Sequence, residues 1–118
     1  MLVIRDEQIE ALDESMLRSF RNQMVSHLRK ACPEETSNMS EEELGSLIQG
    51  GIVKAESYEI FEDDDVRRFL EYMLILNPDF DQDSDFPEIQ EILNDEEMDG
   101  TEKMDEIDYY YNNKLEAG

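Results

Sequence analysis

The chain has 118 residues, with 32 Asp and Glu against 10 Lys and Arg, a formal net charge of −22. A length of this order supports one domain, residues 1–118, around one core that buries roughly 65% of the unfolded chain's surface. Charge of this sign repels phosphate, which argues against nucleic acid and anionic lipid as partners and favours basic protein surfaces. A hydrophobic content of 39%, with five Tyr and five Phe, separates the chain from sequences kept disordered by their charge.

Cys32 is the only cysteine, so no intrachain disulfide and no cysteine-based metal site is expected, which fits a reducing cytoplasm. The Met1–Ile4 apolar run is too short for an export signal and is followed by acidic residues. The longest later apolar run, Tyr72 to Leu76, is far short of a membrane span. Residues 1–33 hold five acidic and five basic groups and are neutral, whereas residues 34–118 hold 27 acidic and five basic groups. The whole net charge therefore belongs to the second part.

The spacing of Ile9, Leu12, Met16, Phe20, Met24 and Leu28 predicts a long amphipathic helix over 6–31, with acids first and bases last, as the helix dipole favours. Pro33 predicts its end. Ser40-Glu41-Glu42-Glu43 reads as a capping box, with Met39 and Leu44 as a hydrophobic staple, and opens a second helix over 40–58. Gly50-Gly51 inside it implies a kink or a close helix crossing. The acidic Glu62–Asp65 cluster precedes a third helix over 63–76, stopped by Asn77-Pro78. Residues 79–86 read as a loop, Pro87 as the first residue of a short helix over 87–94, and Thr101 as the cap of a last helix over 101–116. No alternating β-branched run is present. The expected fold is a small all-α, single-domain bundle of four to five helices.

Asp79-x-Asp81-x-Asp83-x-Asp85 has the spacing that begins a calcium loop, but position six is Ser84 and position twelve Gln90, where such a loop needs Gly and Glu. A solvated loop is the expectation, with no metal. His27, the only histidine, reads as a cap or surface residue, and no partner for acid–base chemistry or zinc is available. Cys32 has no histidine partner, and no phosphate loop or nucleophile elbow is present. No enzymatic activity and no cofactor is expected. Tyr109, Tyr110 and Tyr111 sit about 100° apart on one helix, so at least one faces solvent as a contact for a partner.

Read together, Leu2-Val3-Ile4-Arg5-x3-Ile9-x2-Leu12, Gly51-Ile52-x2-Ala55-x2-Tyr58-x-Ile60, Asp65-Val66-x2-Phe69-x3-Met73, Asp79-Phe80-Asp81-x-Asp83, Pro87 and Lys103-Met104 resemble a family of small helical bacterial proteins. Such proteins are often encoded beside the spike and effector genes of type VI secretion systems. The chain departs from the family pattern at Glu59, where glycine is usual, and at Glu88, where an aromatic commonly follows the proline. The resemblance implies no catalytic residue and an accessory role, as adaptor or chaperone for a secreted effector or its spike partner, or as protection against the effector. The expectation is thus a protein-binding adaptor, with an immunity protein that neutralises a toxin and a DNA-mimic inhibitor as alternatives. The residues expected to meet the partner are Asp63, Asp64, Asp65, Asp79, Asp81, Asp83, Asp85, Tyr109 and Tyr110.

Overall fold

The computed structural model describes residues 14–115, with side chains from 18 to 114. Six α-helical segments follow one another: α1 Glu14–Ala31, α2 Pro33–Thr36, α3 Glu41–Ser57, α4 Asp63–Ile75, α5 Pro87–Leu93 and α6 Gly100–Tyr110. A 3₁₀ turn at Phe80–Gln82 links α4 to α5, and a π turn at Tyr111–Leu115 follows α6. The fold is all-α, with no strand among the described residues. The expected beginning of the first helix, with Ile9 and Leu12, lies outside the described residues, as does the last position of the 101–116 helix.

Helix α1 buries Phe20, Met24 and Leu28, three consecutive steps of four along its apolar stripe. Pro33 does end this helix, yet helical structure resumes at once. A missing N–H costs nothing at a first helical position, so Pro33 opens the single turn of α2. Arg29 fixes that turn, donating to the Thr36 carbonyl and the Met39 carbonyl, both at 3.0 Å. His27 is not a simple surface cap: its Nε2 lies 2.7 Å from Glu71 Oε2 and ties α1 to α4.

The α3 capping box forms as the sequence requires. Ser40 Oγ accepts from Glu43 N at 3.0 Å, and Glu43 Oε1 accepts from Ser40 N at 2.9 Å. Of the two implications of Gly50-Gly51, the close crossing holds. A Cβ on Gly51 would sit 2.3 Å from Leu70 Cδ2 and 2.7 Å from Met73 Sδ, whereas one on Gly50 would meet nothing within 4 Å. The missing side chain at position 51 lets α4 lie against α3, and Ile48, Ile52, Ala55, Val66, Phe69 and Leu70 close the core between them. Phe80, Ile89, Leu93, Met104 and Ile107 extend this core to the second half of the chain.

The α3–α4 turn carries a backbone signature. Ile60 N donates to Ala55 O and Glu59 N to Glu56 O, both at 2.9 Å, the two bonds of a Schellman cap. Such a cap needs a left-handed residue, and Glu59 takes that position at φ 62°. Glycine is the residue that adopts this conformation freely, so the departure at Glu59 falls where a side chain is conformationally costly.

The start of α6 differs from the expectation. Asp99, not Thr101, is the cap: Asp99 Oδ1 accepts from Glu102 N at 2.8 Å, and Glu102 Oε1 accepts from Asp99 N at 3.1 Å. Asp99-x-x-Glu102 is itself a capping box, which frees Thr101 Oγ1 to donate to Asp65 Oδ2 at 2.6 Å. Gly100 makes this junction possible. A Cβ there would lie 2.8 Å from the Glu59 carbonyl and 2.9 Å from Ile60 Cα, so only glycine lets the start of α6 touch the α3–α4 turn.

Candidate partner-binding surface

The contact at Gly100 brings together two acidic segments that are far apart in sequence. The α3–α4 turn contributes Glu59 and Glu62, and the segment before α6 contributes Glu96, Glu97, Asp99 and Glu102. Between them lies an open cleft of about 580 Å³, with Asp65 at its edge and Phe61 and Met98 as its apolar residues. Seven of its eleven lining residues are carboxylates, and no Lys, Arg or His is among them. The groove between α1 and α3 is different in kind, since Arg21 lies there beside Glu41 and Glu42.

The cations that could neutralise the acidic body are engaged elsewhere. Residues 34–118 contain five basic side chains, Lys54, Arg67, Arg68, Lys103 and Lys114. Arg68 is held by Asp65 at 2.6 Å, Asp105 at 2.9 Å and Asp108 at 2.7 Å, and Tyr72 Oη donates to the other Asp108 oxygen. This cluster clamps α6 onto α4. Arg67 pairs with Glu71 at 3.0 Å and with Asp64 at 3.5 Å. Lys103 is buried, and its ammonium donates to the Tyr58 carbonyl at 2.8 Å, where the α3 dipole ends negative. Lys54 binds the Pro78 carbonyl and Asp79, both at 2.9 Å. Four of the five are thus engaged in contacts of the body, and of the cleft's carboxylates only Asp65 has one of them as a partner among the described residues.

The residues expected at a partner surface divide into distinct groups. Asp65 and Asp81 lie inside the fold, at 3% and 2% exposure, with Asp65 on Arg68 and Thr101 and Asp81 on Tyr58. Burial removes both from contact with a partner. Asp63 and Asp83 are half-buried and accept backbone N–H groups of Asp64 and Asp85 at 2.9 Å each. Asp64, Asp79 and Asp85 are exposed. Tyr109 faces solvent at 65% exposure, whereas Tyr110 and Tyr111 pack partly against the core. The cleft itself was only partly legible: the acidic segments around 62–65 and 95–99 stand out in the sequence, but their adjacency does not. The signal for it was Gly100, the first residue of a helix where a glycine has no propensity advantage.

The structure also bears on the remaining chemical candidates. Burial, followed by Glu35 and Glu71, pushes the Cys32 thiol up from 9.0 to about 11, the opposite of an activated nucleophile. Among the described residues, no three His, Cys, Asp or Glu side chains are grouped to hold a metal ion, and no helix is long and apolar enough to cross a membrane. No family model, curated protein or solved structure matches the chain.

Proposed function

We propose that this protein is a non-enzymatic accessory protein that binds a basic segment of a partner in its acidic cleft. The partner we propose is a secreted effector of a type VI secretion system, or the spike protein that carries it. One observation carries the binding mode: four of the body's five cations are engaged in contacts of the fold, while the cleft between the α3–α4 turn and the start of α6 holds seven carboxylates and no basic side chain. The secretion context rests on the sequence resemblance. Phe61 and Met98 give the cleft an apolar component against which the stem of a Lys or Arg can pack. Surrounding carboxylates speed encounter with a cationic surface and disfavour acidic ones.

The test is co-expression with the type VI effector and spike proteins of the same organism. An adaptor raises the soluble yield of its effector and leaves the effector's activity intact, with binding lost when cleft carboxylates are neutralised. A one-to-one complex that abolishes the effector's activity supports the immunity reading instead. Failure to bind any of these effector or spike proteins would sink both.

A further inference from the structure

The alternating aspartates at 79–85 lie outside the acidic cleft, and two of them, Asp79 and Asp81, face the Lys54 ammonium. Lys54 reaches from the last turn of α3 to the Pro78 carbonyl and Asp79 Oδ1, each at 2.9 Å, and its Nζ lies 3.5 Å from Asp81 Oδ1. The Asp81 side chain is 1% exposed, and its Oδ1 is buried without a hydrogen bond. Its Oδ2 is fixed by the Tyr58 hydroxyl at 2.8 Å. This buried carboxylate oxygen is therefore paired with the ammonium by charge at 3.5 Å while accepting no hydrogen bond. The surrounding loop is well braced. Asn77 Oδ1 accepts from Asp79 N, Asn77 Nδ2 donates to Asp83 Oδ2, and Gln90 donates to the Asp83 carbonyl, all at 2.8 Å.

We propose that the Pro78 carbonyl, Asp79 and Asp81 form a hard-cation site whose resident is the Lys54 ammonium, and that a calcium ion binds the same oxygens when that ammonium is removed. One carbonyl and two carboxylates belong to the oxygen set that calcium prefers, with water completing the coordination shell. Two negative charges match a divalent ion, whereas the ammonium offsets one of them. Magnesium is the poorer fit, because it demands near-ideal octahedral geometry and dehydrates reluctantly. Lys54 thus does for this loop what a bound ion does in metal-dependent Asp-x-Asp loops, and it keeps the native site closed to metal by repulsion.

The test compares the native chain, Lys54→Met and the double variant Lys54→Met/Asp81→Asn. Each is melted in about 5 mM calcium chloride and in sodium chloride of equal ionic strength, a concentration that covers weak calcium sites. The native chain and the double variant report the effect of calcium on the acidic surface alone. Lys54→Met is expected to gain about 5 °C more than either, as about tenfold saturation over Kd gives a domain of this size. A gain no larger than that of the double variant overturns the proposal. Should Lys54→Met be unfolded without metal, calcium is expected to restore its helical circular dichroism, and failure to restore it also overturns the proposal.

Discussion

Three glycines in this chain make a graded test of the packing. Gly50 and Gly51 are neighbours in the same helix, so replacing either by alanine gains the same helix propensity, about 1 kcal/mol. What differs is the space the new methyl meets. At Gly50 it meets nothing within 4 Å, so Gly50→Ala is expected to stabilise by about 1 kcal/mol, or about 4 °C in Tm. At Gly51 it falls 2.3 Å from Leu70 Cδ2 and 2.7 Å from Met73 Sδ, an overlap that costs about 1–3 kcal/mol even with these flexible ends moving aside. The net for Gly51→Ala is a loss of up to about 2 kcal/mol. Gly100→Ala meets backbone, the Glu59 carbonyl at 2.8 Å and Ile60 Cα at 2.9 Å, which cannot rotate away. It is expected to cost about 2–3 kcal/mol, with a measurable loosening of the α3–α4 turn in hydrogen exchange. Urea unfolding with a common m-value reads all three. Equal effects at Gly50 and Gly51 would refute the close crossing of α3 and α4, and a neutral Gly100→Ala would refute the junction that forms the cleft.

Glu59→Gly removes a side chain from a left-handed position and is expected to raise stability by about 0.5–1 kcal/mol, read as an increase in the urea midpoint; a decrease would contradict the cap assignment. Arg68→Met leaves buried Asp65 without its cation and is expected to cost about 2–3 kcal/mol, discounted because Asp105 is largely exposed. The control Arg67→Met gives up exposed Asp64 and half-buried Glu71, which keeps its contact with His27, and should cost under about 1 kcal/mol; equal losses would refute the clamp between α4 and α6. Alkali should unfold the protein. Burial raises the Cys32 thiol to about 11 and, with the hydrogen bonds that the phenols donate to Asp81 and Asp108, raises Tyr58 and Tyr72 as well. Each folded pKa lies above its unfolded value, so this stability is fully present below the unfolded pKa and is lost as pH rises through the folded one. The urea midpoint should hold at neutral pH and fall from about pH 9 upward; a midpoint unchanged at about pH 10.5 would refute the buried placement of these groups.

What the sequence makes legible is local, and what it hides is long-range. Ser40 with Glu43, Pro87 at a helix start and the Phe20–Met24–Leu28 stripe are read from neighbours within one or two turns, and each appears where it is expected. The α6 start is ambiguous in the sequence because two caps compete there. Thr101 and Asp99 both suit the position, and what decides is a bond from Thr101 to Asp65, 36 residues away. The same holds for the aspartates. In the runs 63–65 and 79–85 the residue type is constant, so composition gives no sign that Asp65 and Asp81 turn inward while Asp64 and Asp79 face water. Their cationic and hydroxyl partners, Arg68 and Thr101 for one and Lys54 and Tyr58 for the other, are fixed by how the helices pack. Glu59 is the reverse case. Its oddity shows in the sequence pattern, and the positive φ gives it a physical meaning.

The central claim is that the acidic cleft holds a basic segment of a partner, and three of its carboxylates can be neutralised without removing a side-chain cap bond or an interior ion pair. Glu62, Glu96 and Glu97 line the cleft and take no part in the Asp99–Glu102 capping box. The most direct measurement is the association rate of the triple variant Glu62→Gln/Glu96→Gln/Glu97→Gln with the co-purified partner, at low and at physiological salt. The account predicts a rate at least about tenfold lower than native at low salt, with the difference shrinking as salt screens the remaining charge. A native rate that does not change with salt, or a triple variant that associates as fast as the native protein, would contradict it.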